Sequence, residues 1–159
     1  PYQAKVMNTF EATSIRIGVS ASSYGARDST LYFWAAKRGS PVDVVGFTML
    51  PGFDGATSLD THMRIAQRWM RAFAVKPKPH WVFAAGGYPV AHGEESQELA
   101  LWGVLAWATS QAAIKGLVVA DAGDYDRLRG LRTASGRLRS ATGAVIRAEK
   151  GLKETATPK

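Results

Sequence analysis

Four short apolar runs punctuate the chain, and the stretches between them repeat their apolar residues at helical spacing. The runs are residues 14–22, with Ile15, Ile17 and Val19; 42–50, closed by Pro51; 80–85, entered through Pro77 and Pro79; and 114–120. Near-continuous apolarity predicts strands buried on both faces, as in a parallel sheet covered by helices. Asp28 or Ser29 is placed to cap a first helix running to Lys37, with Gly39 and Pro41 ending it. Ser58 caps the next, with Asp60 in its first turn and Ile65, Trp69 and Phe73 on one face. A third helix starts near Gly93, where Glu94 and Glu95 suit the positive helix end, and Leu99, Trp102 and Ala106 form its expected buried stripe. The last runs over 133–149. A further helix ends near Ala12. Residues 151–159 read as a polar, disordered tail behind a domain of residues 1–150.

This order, a helix end followed by four βα units, is an α/β pattern. A closed (β/α)8 TIM barrel takes about 250 residues, so four units supply half of one. Strands are expected at 14–21, 43–49, 80–85 and 115–120. A small open doubly wound sheet is the alternative, but no run leads into a Gly-rich phosphate loop. A half barrel alone leaves two open parallel edges. The other half is therefore expected, in the same or another chain. The chain opens on Pro1, with no Met and no signal peptide, which implies processing or a fragment.

Composition narrows the classes. Of 159 residues, 46% are hydrophobic and 21% charged, a globular balance. The longest apolar stretch, 112–122, is broken by Lys115 and Gly116, short of a membrane span. With no cysteine, disulfides and thiolate metal sites are excluded. His62, His80 and His92 are too scattered for a metal motif, and neither metal nor cofactor is expected. His62 reads as a helix-surface residue, and His92 as a strand-end loop residue within reach of a ligand. Ser20, Ser22 and Ser23 lack a nucleophile-elbow pattern. Trp34, Trp69, Trp102 and Trp107 fall on helix core stripes, and Trp81 starts a strand. The net charge of +7 lies wholly within the last 33 residues, which suits docking through Arg127, Arg129, Arg132, Arg137, Arg139 and Arg147. Nucleic acid is not favoured, because no aromatic platform accompanies these charges.

Three segments resemble clan A glycoside hydrolases, endo-galactanase-like barrels in particular. Pro41-Val-Asp-Val-Val-Gly-Phe-Thr-Met-Leu-Pro-Gly-Phe-Asp-Gly55 is similar to that group's sixth strand. Trp81-Val-Phe-Ala-Ala-Gly-Gly-Tyr-Pro89 is similar to the seventh, which reads Val-x-Glu-x-Gly-aromatic-Pro. Gly130-Leu-Arg-Thr-Ala-Ser-Gly-Arg-Leu-Arg-Ser-Ala141 is similar to the stretch leading into the final helix. The resemblance implies that this chain supplies strands five to eight. It also implies retaining hydrolysis by two carboxylates, an acid/base on strand four and a nucleophile on strand seven. Ala85 stands at the nucleophile position. Met49 and Leu50 stand where the family places a Tyr, and Val119-Ala120-Asp121 where it places a Trp.

These departures together point to natural loss of catalysis rather than one engineered change at Ala85. Glu94 and Glu95 read as helix-start residues, and Asp121 and Asp124 as turn residues on the catalytic face. The former cleft would be lined by Tyr24, Met49, Phe53, Tyr88, His92 and Asp121. The expected role is a non-catalytic accessory or structural subunit of a larger, membrane-associated assembly, which the resemblance places outside the cytoplasm. A retaining hydrolase, active or mutated at Ala85, and a carbohydrate-binding module using the old cleft are the alternatives.

Overall fold

The computed structural model describes residues 16–52, 58–73, 77–124 and 130–156, the last six by their backbone. The elements are β1 (Gly18–Ala21), α1 (Ala26–Ala36), β2 (Val44–Met49), α2 (Leu59–Arg71), β3 (His80–Ala85), α3 (Pro89–His92), α4 (Glu94–Ser110), β4 (Ile114–Val119) and α5 (Ser140–Ala156). The strands form one parallel sheet in the order β1-β2-β3-β4. Four βα units follow one another in space as they do in sequence, and the four expected strands are all present.

One face of the sheet packs on the helices. Val45, Phe47 and Met49 of β2 and Val82 of β3 are fully enclosed there, against Tyr32 of α1, Trp69 of α2 and Leu101 of α4. Phe47 stacks on Tyr32 at 5.5 Å between ring centroids, and Tyr32 meets Trp69 at 5.2 Å. Burying a side chain the size of Phe47 contributes about 2 kcal/mol, so this aromatic slab is a large share of the core.

At the amino ends of the strands the layer is closed by buried polar groups that satisfy one another. His80 Nδ1 lies 2.8 Å from the Lys78 carbonyl oxygen, which can only accept. Nδ1 therefore carries the proton, and Nε2 accepts from the Tyr32 hydroxyl at 2.7 Å. The Lys78 ammonium donates to Ser40 Oγ at 2.6 Å and to the Ser40 carbonyl at 3.1 Å, tying the α1–β2 turn to the start of β3.

The opposite face is built differently. Trp81 and Phe83 stack at 6.4 Å, and glycines surround them. A Cβ on Gly18 would stand 2.8 Å from the Phe83 ring, one on Gly116 2.7 Å from the Trp81 ring, and one on Gly46 2.0 Å from the Trp81 carbonyl oxygen. Only glycine leaves room for these two rings. Trp81 is still 36% exposed, so the face is apolar and uncovered among the described residues.

The structure differs from the sequence reading in several places. α1 begins at Ala26, behind Gly25, so Asp28 lies inside the helix rather than capping it. His62 is buried, not on a helix surface. His92 ends the short helix α3. On α4 the buried residues are Gln97, Leu101, Val104, Leu105 and Ala108, while Leu99, Trp102 and Ala106 face out. Trp34 is exposed as well. α5 starts at Ser140, not Thr133, because Thr133–Arg139 is a tight turn with Gly136 at φ 90° and Arg132 bridged to Leu138. The same helix runs on through Ala156, into the stretch read as tail. The helix ending near Ala12 falls outside the described residues.

Burial holds both His62 and His80 below the usual imidazole pKa of 6.5. Above that value both imidazoles are neutral in the folded and unfolded chain. Below it the unfolded chain takes up protons that the folded one resists, so stability is lost as pH falls through the folded pKa values. Thermal melting followed from pH 7.5 to 4.5 should show Tm falling below about pH 6.5. His62 stacks on Tyr24 at 4.2 Å and its Nδ1 has no hydrogen-bond partner. His62→Phe keeps the stack and should make this acid loss shallower.

Candidate functional site

Parallel barrels carry their chemistry at the carboxyl ends of the strands. Here that face is occupied by groups committed to the protein's own backbone. After β1 the chain turns through Tyr24, a non-glycine residue at φ 56°. Asp28 makes that turn affordable. Its Oδ2 accepts the N–H groups of Ser22 at 2.7 Å, Ser23 at 2.7 Å and Tyr24 at 3.0 Å. These bonds outweigh the burial that acts against the charge and hold the Asp28 carboxyl below its usual range. The turn drives the Tyr24 ring into the helix layer, where its hydroxyl donates to the Thr48 carbonyl at 2.8 Å and lies 3.4 Å from Met49 Sδ. Burial, with Asp28 nearby, pushes the Tyr24 phenol above its usual range, so it stays protonated.

The end of β3 is built of small residues. Ala84 pairs in register with Thr48, and Ala85 with Met49. Thr48 Oγ1 meets Ser20 Oγ at 3.1 Å, whereas Met49 and Ala85 are fully enclosed in the core. A glutamate at residue 85 would place its carboxylate in an apolar layer. Gly86 follows, donating its N–H to the Met49 carbonyl, and Ala120 donates to the Ala85 carbonyl at 2.7 Å. A Cβ on Gly87 would stand 2.9 Å from Gln97 Cα, so the turn after β3 presses directly on α4.

After β4 the chain passes Asp121, half-buried at φ 62°, into an ion-pair clasp. The Arg139 guanidinium grips Asp124 with two nitrogens, Nη2 to Oδ2 at 2.8 Å and Nη1 to Oδ1 at 2.5 Å. Nη1 also donates to the Gly130 carbonyl at 2.8 Å. Glu94 lies 3.6 Å from Arg139 Nε and pairs with Arg137 on its other side. Hydrogen bonding from Arg139 holds the Asp124 carboxyl below its usual range, and from Arg137 that of Glu94. Both act as fixed anions that join the β4–α5 loop to the start of α4.

The sequence-derived sites therefore fare unevenly. Of the proposed cleft, Tyr24, Met49 and Tyr88 are buried, His92 is exposed and Asp121 half-buried; Phe53 lies outside the described residues. Of the proposed docking arginines, Arg139 is internal, and Arg137 and Arg147 pair with Glu94 and Glu98. Arg132 is exposed, and Arg127 and Arg129 lie outside the described residues. The described residues contain no group of three or more His, Asp or Glu side chains able to hold a metal, and no helix long and apolar enough to cross a membrane.

Solved structures that superpose on this chain include β-glucuronidases. A Ruminococcus gnavus β-glucuronidase in complex with uronic deoxynojirimycin superposes with a TM-score of 0.70, covering 94% of this chain and 29% of that one at 14% identity. Another structure of a β-glucuronidase from the same organism gives 0.68 at 16% identity, over 94% and 28%. This chain has a partial (β/α)8 barrel of glycoside hydrolase-like fold. At this identity the likeness concerns fold alone, and the chain spans less than a third of the structures it matches. No protein-family model matches the sequence, and neither does any curated protein. In the partial barrel, the face bearing Trp81 and Phe83 is the interior side of the sheet, and β1 and β4 are the edges at which it would continue.

The clasp gives a stability prediction. Arg139→Met leaves Asp124 beneath the loop without its counter-ion. Removing one partner of a buried pair costs about 3 kcal/mol. Urea unfolding should show that loss for the variant, and a loss well under 1 kcal/mol would mean that the clasp does not fasten the loop.

Proposed function

We propose that this chain is the second half, strands five to eight, of a glycoside hydrolase-like barrel that does not hydrolyse sugars and serves as an accessory or structural subunit. The observation that carries the reading is the end of β3. The resemblance to clan A hydrolases puts the nucleophile at Ala85, which is sealed in the core. The residue facing Thr48 and Ser20 is Ala84. Either register gives a methyl group, which can form no glycosyl-enzyme bond. The neighbouring positions support the same reading. Met49 contacts Tyr24 instead of presenting a polar group, and Asp28, Asp124 and Glu94 are occupied by backbone N–H groups or arginines. A sugar-binding cleft is less well supported, because Tyr24 and Tyr88 are buried.

The partner surface differs from the one that net charge suggests. Three of the six candidate arginines pair within the chain. Among the described residues the interior face with Trp81 and Phe83 is uncovered, as are the edges β1 and β4. The complementary half of the barrel, in the same or another polypeptide, fits that face. Attachment to a larger assembly, and a place outside the cytoplasm, belong to the same proposal and rest on family resemblance.

Two measurements on the full-length protein test this. A panel of aryl glycosides and polysaccharides should give no turnover above the uncatalysed rate, and turnover that vanishes when a carboxylate is mutated would overturn the proposal. Trp81→Ala should cost about 3 kcal/mol if the second half buries the ring. A cost under about 1 kcal/mol would mean that the face is left in solvent.

A further inference from the structure

The interior face of the sheet changes character at the amino-terminal ends of its strands. A groove of about 480 Å³ lies there, lined by Gly18, Trp81 and Phe83 and by two cations, Arg16 and Lys115. Arg16 stands just before β1 and Lys115 near the start of β4, so the cations belong to opposite edges of the sheet. Lys115 falls where the β3–β4 register slips. His80 pairs with Ile114 and Trp81 with Gly116, which leaves Lys115 as the extra residue of a bulge. Both cations are exposed. No residue lining the groove is acidic, and neither cation has an ion pair among the described residues.

Covering this face changes the surroundings of both charges. A charge taken out of water needs an opposite charge beside it, or closure costs more than it gains. β1 and β4 are the strands at which the sheet would continue, so each seam receives one cation. Opposite charges on adjacent strands attract and like charges repel. We infer that the complementary half of the barrel carries a carboxylate at the amino-terminal end of each of its two outer strands, one for Arg16 and one for Lys115. The two ion pairs fix its register at both seams, because a slip of one residue would carry each carboxylate to the other face of the sheet. Both pairs rest on the function proposed above, in which that half covers Trp81 and Phe83.

Carbodiimide coupling tests this on the full-length protein purified with its complementary half, because the reagent joins a lysine amine to a touching carboxylate without a spacer. Peptide mass spectrometry should find Lys115 joined to one Asp or Glu of that half. Lys115→Arg keeps the charge and should abolish the coupling with Tm unchanged. Arg16→Lys should create a second coupling, to a different carboxylate. Lys115→Met and Arg16→Met should each lower Tm by at least about 4 °C. Trp81→Ala distinguishes the two ways to fail. If it leaves Tm unchanged, the face is in solvent, and the proposed burial falls together with the ion pairs. If it lowers Tm but neither position couples to the complementary half, or the Met variants melt with the parent, the half is present and the ion pairs alone are overturned. A Tm raised by sulfate, with no coupling, would put a free anion in the groove and overturn them too.

Discussion

A parallel strand reaches its neighbour only through a crossover, and the crossovers here place every long helix on the same side of the sheet. That side becomes the aromatic core around Phe47, Tyr32 and Trp69. The other side must be buried by something else, because parallel sheets are stable when both faces are covered. The sequence is adapted to that second burial. Gly18, Gly46 and Gly116 on three strands clear the space into which β3 sends Trp81 and Phe83. Two large rings among three glycines are the large-and-small filling of a barrel interior. A surface sheet gains nothing from three glycines, each of which loses backbone entropy on folding. These positions thus suit the interior side of a barrel sheet.

The same strands determine what the carboxyl ends can do. A one-residue irregularity between Phe47 and Thr48 shifts the β2–β3 register. Past it, Ala85 falls on the core side with Met49, and Ala84 pairs with Thr48. Acidic residues are not scarce on this face, but Asp28, Asp124 and Glu94 each have a structural duty. A general acid must exchange its proton near neutral pH. Asp124 is held ionised by Arg139, with both oxygens engaged, and Asp28 gathers three backbone N–H groups around one oxygen. Charges held in this way anchor the loops at the strand ends.

How much of this could be read from sequence depends on the range of the interaction. The strands were legible because near-continuous apolarity bounded by Pro and Gly is a local signal. So were α2 and the start of α4, where Ser58 and Gly93 mark the ends. The start of α5 was not, because Thr133–Arg139 has helical composition but is held as a turn by the Thr133 hydroxyl and Gly136. Asp28 reads as a cap in sequence, yet its carboxylate reaches back to the residues before the helix. The arginines were legible only as a charge excess. Their partners Glu94, Glu98 and Asp124 lie 43, 49 and 15 residues away, and pairing at that range is invisible to composition.

α4 shows why a correct periodicity can still give the wrong face. Leu99, Trp102 and Ala106 obey helical spacing as well as Leu101, Val104 and Ala108 do, so spacing alone does not choose the face. What decides between them is polar and distant in sequence. Gln97 donates through Nε2 to the Gly130 carbonyl at 3.1 Å, the same carbonyl that Arg139 engages. The close approach of Gly87 to the Gln97 backbone fixes the start of the helix against the end of β3. Once Gln97 is turned inward, the helix phase is set, and Leu99 and Trp102 must emerge on the far side.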